Sequence, residues 1–140
     1  MKLSRTASYA LQALLQLAES DASGCPVPCS RLAAEGKMPE RFLLQILRSL
    51  VTHGILGSTR GVDGGYVLER SPEEVSLLDV IEAVDGPVTP LLPAGDGLSE
   101  QAASKLKCTL ADVAELARRE LAAVKLIHLL PSDSRPELAG

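Results

Sequence analysis

The sequence has little of what several classes of protein require. Its 140 residues include one Phe, two Tyr and no Trp, so a hydrophobic core has to be built from aliphatic side chains. Three cysteines are too few, and odd in number, for the disulfide framework of a small secreted domain. No run approaches the roughly 18 to 20 uncharged apolar residues that span a bilayer. We therefore expect a compact protein of the cytoplasm that does not contact membranes.

Motifs of common enzyme classes are also lacking. The chain has no nucleophile elbow, P-loop, dinucleotide-binding fingerprint or HExxH zinc motif. The two histidines, His53 and His128, are far apart in the sequence. We expect His53 to interact with a helix C-terminus or a phosphate, and His128 to lie in an interface. The chain is therefore not expected to be an enzyme.

Charge is distributed unevenly along the chain, whose formal net charge is −4. Residues 1–60 carry seven Lys or Arg and four Asp or Glu, a net of +3, whereas residues 61–140 carry seven and fourteen, a net of −7. A basic half within an acidic chain is typical of proteins that present one face to nucleic acid. Ordinary variation of the surface explains so small an excess equally well.

A helix of about four turns and a short second helix are predicted before residue 37. The first follows Ser4, because apolar residues recur at helical spacing at positions 7, 10, 11, 14, 17 and 18. Ser30 is expected to cap a second helix that runs to about Glu35. The Gly36-Lys37 pair would end that helix in a tight turn.

The third predicted helix begins at Pro39, ends before Gly54 and has two distinct faces. The face expected in the core carries Leu43, Ile46, Leu47 and Leu50. The opposite stripe carries Arg41, Gln45, Arg48 and Thr52. Every side chain of that stripe can donate a hydrogen bond and none is acidic. Because a merely solvated helix face more often mixes Glu with Lys, the stripe favours a functional face.

A β-hairpin is predicted next, from the β-prone runs Ile55–Thr59 and Tyr66–Glu69. The Arg60–Gly65 segment between them contains Asp-Gly-Gly, which suits positive φ angles in a turn. Three helices followed by a hairpin describe a winged helix-turn-helix, in which the third helix enters the major groove and the hairpin lies beside it. The alternative is a glycine-rich turn that serves hairpin geometry alone. The predicted fold class is mainly α with a small β-hairpin wing.

The second half adds a fourth helix and a long one. Ser76 and Asp79 form a capping box for a helix that ends at Gly86-Pro87. We expect a DNA-binding domain over 1–86, a linker over 87–98, a dimerisation helix region over 99–130 and a disordered tail over 131–140. The long helix has an apolar stripe that its own domain cannot bury, so it should pair with a second copy, either unbroken or ending near Val124 before a short terminal helix. The stripe carries Leu106, Leu110, Val113, Ala117, Leu121 and Val124.

Binding of double-stranded DNA by this unit would combine two physical effects. Contacts to phosphates supply affinity without sequence information and weaken steeply with salt. The candidates for them are Lys2, Arg5, Arg31, Lys37 and Arg60. Contacts to base edges supply specificity, each worth roughly 1–3 kcal/mol, and Arg41, Gln45 and Arg48 have suitable side chains.

Four segments together resemble the Rrf-type transcriptional regulators of bacteria: Lys2–Leu11, Pro39–Leu43, Arg60–Tyr66 and Ser76–Ile81. The resemblance covers residues 1–86 strongly and the long helix loosely. It implies a homodimer with two winged-helix heads and crossed long helices, bound to a dyad-symmetric promoter site. It also implies that the segment from Pro39 through Glu40 to Gln45 enters the groove, while Arg60, Gly64 and Gly65 form the wing contact.

The sequence departs from that family at the residues that hold an iron–sulfur cluster in some of its members. Members that carry an iron–sulfur cluster hold it with three cysteines between the fourth helix and the long helix. Residues 86–107 contain neither Cys nor His, and only Cys108 matches the last of the three. A histidine ligand of some members corresponds to Ala111, and a first-helix carboxylate ligand of others to Ser8. We therefore expect no iron–sulfur cluster, no other cofactor and no bound metal.

The leading hypothesis is thus a dimeric, cluster-free transcriptional regulator, more a repressor than an activator, that responds to an unidentified effector or partner protein. Two alternatives stay open. Cys25, Cys29 and Cys108 could form a thiol-based or metal-responsive sensor in a new arrangement. The winged helix could instead have lost DNA binding and serve as a protein-interaction module. The linker Pro87–Gly97 could line an effector pocket, although nothing in it selects a ligand.

Overall fold

A computed structural model describes residues 2–20, 24–89 and 97–131. Two strands pair in antiparallel register, with Leu56 opposite Leu68 and Thr59 opposite Gly65. The fold is therefore mainly helical with a two-stranded hairpin, as predicted. In chain order the elements are α1 (Arg5–Ser20), α2 (Cys29–Gly36), α3 (Glu40–Thr52), β1 (Leu56–Thr59), β2 (Gly65–Leu68), α4 (Leu77–Asp85), α5 (Glu100–Ala123) and α6 (Leu126–Leu129).

One aliphatic core lies between α1, α3, α4 and the hairpin, as the scarcity of aromatic residues predicts. Tyr9 and Phe42 stay at its edge, where their rings meet edge to face with centroids 5.7 Å apart. The four apolar residues predicted for the inner face of α3 are all buried. The largest fully buried side chains are Leu14, Leu32, Leu43, Leu47, Leu50, Ile55, Leu56, Val75, Val80 and Leu126.

Local capping rules predict the starts of α1 and α4 correctly. The Ser4 hydroxyl oxygen accepts a hydrogen bond from the Ala7 N–H at 2.9 Å, so α1 begins directly after Ser4. At α4 the Asp79 N–H donates to the Ser76 hydroxyl and the Ser76 N–H donates to the Asp79 carboxylate, each at 3.0 Å. This reciprocal pair is the predicted capping box.

The predicted starts of α2 and α3 are wrong by one or two residues, whereas the Gly36-Lys37 turn ends α2 as predicted. Ser30 does not cap α2, because the helix already begins at Cys29 with Pro28 as its N-cap. The left-handed residue that ends α2 is Lys37, with φ 54° and ψ 47°, and Gly36 is still helical. Pro39 is the N-cap of α3, with an extended ψ of 121°, and Glu40 is its first helical residue.

The chain returns to the core directly after α5. The Leu77 N–H donates to the Val124 carbonyl and the Leu126 N–H donates to the Val75 carbonyl, both at 2.9 Å. The side chain of Leu126 is completely buried among core residues. The predicted break near Val124 is therefore confirmed, and α6 docks on the winged-helix head.

The domain boundaries proposed above stay a prediction. Most of the predicted linker, residues 90–96, and all of the predicted tail except residue 131 lie outside the described residues. Within the described ranges no helix is both long and apolar enough to cross a bilayer.

Candidate nucleic-acid interface

The outer stripe of α3 is exposed, because the opposite face of this helix is held in the core. Arg41, Gln45 and Arg48 are all exposed. Across the described parts of the chain, these three side chains make no hydrogen bond or ion pair to protein groups. Thr52 differs from the prediction, since its hydroxyl donates to the Arg48 carbonyl at 3.0 Å. Three of the four donors predicted for this stripe are therefore available to a ligand.

Two glutamines of α1 hold the end of α2, from which the chain turns into α3. The Gln12 amide donates to the Gly36 carbonyl at 2.7 Å, and the Gln16 amide donates to the Leu32 carbonyl at 3.4 Å. A Cβ atom at Gly36 would lie 2.8 Å from the Gln12 amide nitrogen. Sequence analysis assigned no role to these glutamines. Their polar side chains within an apolar helical pattern are the signal that could have indicated one.

The hairpin is anchored to the loop before α2. The Val27 N–H donates to the Tyr66 carbonyl at 3.0 Å, and the Tyr66 N–H donates to the Val27 carbonyl at 2.8 Å. A Cβ atom at Gly65 would lie 2.4 Å from the Val27 carbonyl carbon, and one at Gly64 would lie 2.3 Å from the Thr59 carbonyl oxygen. Both glycines are thus required by internal packing, and their contact with DNA stays a prediction.

A cleft of about 760 Å³ lies between α3 and the hairpin. Its two guanidinium groups, Arg48 from the helix and Arg60 from the hairpin, belong to exposed residues. Among the residues that the structure describes, no carboxylate lines the cleft. The lining residues are Pro28, Cys29, Arg48, Val51, Thr52, Ser58, Thr59, Arg60, Gly61, Gly64, Gly65 and Tyr66.

The titratable groups of this cleft other than arginine are neutral at neutral pH. Burial raises the pKa of Tyr66, and the neighbouring Cys29 adds to that shift while Arg48 opposes it. Burial and the nearby Glu40 carboxylate raise the pKa of the Cys29 thiol. The cleft therefore has a positive charge set by its two arginines. A raised pKa also makes Cys29 a poor thiolate nucleophile, which disfavours it as a reactive sensor.

The other residues predicted to contact DNA are exposed but differ in their partners. Lys2, Arg5 and Lys37 are exposed, as are Pro39 and Glu40 at the start of α3. Arg31 is paired with Glu35 of its own helix at 3.0 Å, so a phosphate would have to compete with that carboxylate.

Both histidine rings contact backbone groups at the end of a helix. His53 follows α3, and its ring Nδ1 lies 2.8 Å from the Ser49 carbonyl oxygen, in agreement with the expected position at a helix C-terminus. His128 is exposed, and its Nδ1 accepts a hydrogen bond from the Lys125 N–H at 3.0 Å. Its predicted place in an interface stays a prediction.

The apolar stripe predicted for α5 is divided between two sides of the helix. Leu110, Ala117 and Leu121 are half-buried, on the side from which Arg118 forms an ion pair with Glu82 of α4. Val124 lies just beyond the helix as its C-cap. The predicted Leu106 and Val113 are instead 39% and 54% exposed.

Leu116 extends the exposed side of α5, and sequence analysis missed it. It is 62% exposed and lies three residues after Val113, a spacing that places both on one face of a helix. We call Leu106, Val113 and Leu116 the exposed apolar face of α5. No residue of this 24-residue helix is buried, so the described chain leaves this face uncovered.

Comparison with known proteins identifies a family and several relatives. Residues 3–132 match the Rrf2 family model, which is described as an iron-dependent transcriptional regulator. An HTH-type transcriptional regulator of Mycobacterium tuberculosis is 41% identical over 97 residues, which are 69% of this chain and 60% of that protein. CymR of Bacillus subtilis is 32% identical over 91 residues, 65% of each chain. The chain thus spans about three fifths of the length of the curated relatives it matches.

Solved structures of transcriptional regulators superpose on this chain. The structure of CymR, the global cysteine regulator of B. subtilis, superposes with a TM-score of 0.74 at 26% identity and covers 92% of this chain and 95% of that one. A transcriptional regulator from Listeria innocua superposes with the same TM-score at 28% identity, covering 100% and 93%. The family match over nearly all residues, supported by a shared winged-helix fold, shows that this chain belongs to the Rrf2 family of transcriptional regulators.

Proposed function

We propose that this protein binds double-stranded DNA as a homodimer and represses transcription. The observation that carries the proposal is the group of unpaired, exposed donors on α3 beside a cleft lined by Arg48 and Arg60. Helix-turn-helix proteins place such a helix in the major groove, with base contacts made by its N-terminal part. Arg41 and Gln45 occupy that part of α3, and their side chains can form paired hydrogen bonds to guanine and adenine.

A second copy is proposed to cover the exposed apolar face of α5. At 1.5 Å per residue, the helix is about 36 Å long, similar to the roughly 34 to 36 Å between successive major grooves on one side of a duplex. Pairing through α5 would remove Leu106, Val113 and Leu116 from water. Two heads bound in this way would occlude a promoter, which favours repression over activation.

The whole proposal can be tested with the protein and DNA alone. Fragments of the gene's own upstream region should be retarded in an electrophoretic shift assay, and transcription in vitro from a bound promoter should fall when the protein is added. Absence of any shift, on those fragments and on a pool of random duplexes, would favour the interaction module instead.

Arg60 and Gln45 should have separable roles. We expect Arg60→Ala to weaken binding to specific and random duplexes alike, and to lower the slope of log affinity against log salt by about 1. Gln45→Ala should change the sequence preference and leave the slope nearly unaltered. Fluorescence anisotropy over a salt series measures both quantities. Identical losses from the two variants would contradict this division of roles.

The family description names iron dependence, whereas the placement of the cysteines in this chain supports a regulator without an iron–sulfur cluster. No three His, Cys, Asp or Glu side chains come together within residues 2–20, 24–89 and 97–131. Cys108 is exposed on α5, while Cys25 and Cys29 lie before and at the start of α2. We propose that the regulator carries no cluster and answers to another signal.

Analysis of anaerobically purified protein tests this point. We expect less than stoichiometric iron and acid-labile sulfide, no visible absorption of a cluster, and DNA binding that is the same before and after treatment with a chelator. One equivalent of cluster per protomer would contradict the proposal. Loss of DNA binding after mild thiol oxidation would favour the thiol sensor.

A further inference from the structure

The donors on α3 are not equivalent, although the sequence presents them as one stripe. Arg48 lines the cleft between α3 and the hairpin, whereas Arg41 and Gln45 are not among its lining residues in the described structure. Arg48 is the ninth of the 13 residues of α3, so it lies in the C-terminal half of the helix. Base edges are usually read from the N-terminal part of a recognition helix. Arg48 is therefore poorly placed for contacts to base edges, although its side chain is of a suitable type.

The groups that surround Arg48 can bind an oxyanion. Arg60 lines the cleft from the hairpin side, together with Ser58 and Thr59 of β1. Ser58 lies opposite Tyr66 in the hairpin register, and Tyr66 also lines the cleft. Guanidinium groups bind phosphate oxygens through paired, charge-assisted hydrogen bonds. A cleft lined by two arginines, and by no carboxylate of the described ranges, attracts a group of negative charge.

We infer that Arg48 and Arg60, from opposite sides of the cleft, bind a single phosphate group of the DNA backbone, so that Arg48 positions α3 in the groove and reads no base. This inference rests on the proposed function and assigns a specific role within it. A phosphate held between helix and hairpin would fix the depth and angle of α3, because backbone contacts set the register of a protein on a duplex. Arg41 and Gln45 would then be left as the base-reading side chains.

The test compares three variants on two probes. The probes are a duplex enriched by the wild-type protein from a random pool and a scrambled duplex of equal length. Arg48→Ala should weaken binding to both by a similar factor, about tenfold, and lower the salt slope by about 1. Arg48→Lys keeps the charge and should keep the slope. Arg41→Ala, the matched control on the same exposed stripe, should lose affinity mainly for the enriched duplex.

Neutral methylphosphonate linkages locate the phosphate. Placed one at a time along the enriched duplex, they should include one position per half-site at which Arg48→Ala affinity falls by a smaller factor than wild-type affinity, because only Arg60 still contacts that phosphate in the variant. Loss of affinity for the enriched duplex alone in Arg48→Ala, or full sensitivity of that variant to every methylphosphonate, would overturn the inference and leave DNA binding itself intact. Failure of the wild-type protein to bind either duplex would instead contradict the proposed function.

Discussion

Replacement of Val113 by glutamate should convert the protein into monomers and weaken its binding to a duplex with two half-sites by about 100-fold or more. Val113 lies in the exposed apolar face of α5 and is 54% exposed in the single chain. In a symmetric pair the same patch of both copies meets, so one substitution introduces two carboxylates into the interface. Burial of unpaired charge is costly enough to separate the helices. Each head would then bind one half-site independently, without the increase in affinity that a linked second head provides.

The matched control is Ala111→Glu. Ala111 is also exposed on α5, but two positions away from Val113, which places it on a different face of the helix. This variant adds the same charge and should remain a dimer with unchanged affinity. Light scattering after size-exclusion chromatography gives the mass, and anisotropy gives the affinity. A dimeric Val113→Glu protein with wild-type affinity would show that another surface joins the two copies.

Features fixed by neighbouring residues could be predicted from the sequence. The four-residue apolar pattern of α3, its end at Gly54 and the Ser76–Asp79 capping box depend on helix periodicity and on hydrogen bonds within one turn. The start of α2 shows the limit of such rules. Ser30 is the better N-cap by residue type, but the Pro28 carbonyl accepts from the Arg31 and Leu32 N–H groups, so the helix starts earlier.

Features that depend on contacts distant in sequence could not be predicted. Gly64 and Gly65 suggested close approach to DNA, but the atoms that their missing Cβ atoms would meet belong to Thr59 and Val27. The α5 stripe looked continuous because periodicity alone does not tell which part α4 covers. Arg48 likewise has the same sequence signature as Arg41, and only the position of the hairpin separates their surroundings.

Replacement of Leu126 by alanine should lower the free energy of unfolding by about 2–5 kcal/mol. The side chain of Leu126 is fully buried in the core, where its removal leaves a cavity as well as lost apolar burial. The Leu126 N–H also donates one of the two backbone hydrogen bonds that join the chain after α5 to Val75 and to the start of α4. Loss of its packing should therefore loosen α6 and the return of the chain from the dimer helix to the head.

Leu129→Ala in the same short helix is the control, because Leu129 is 42% exposed and should lose less than about 1 kcal/mol. Urea titrations of both variants at one fixed protein concentration give the comparison, since dimerisation makes apparent stability depend on concentration. A cooperative transition in which the two variants lose equal stability would mean that α6 does not form part of the core. A large loss confined to Leu126→Ala would instead show that the head is stabilised by residues on both sides of α5, so that folding of the DNA-binding unit and placement of the dimer helix are coupled.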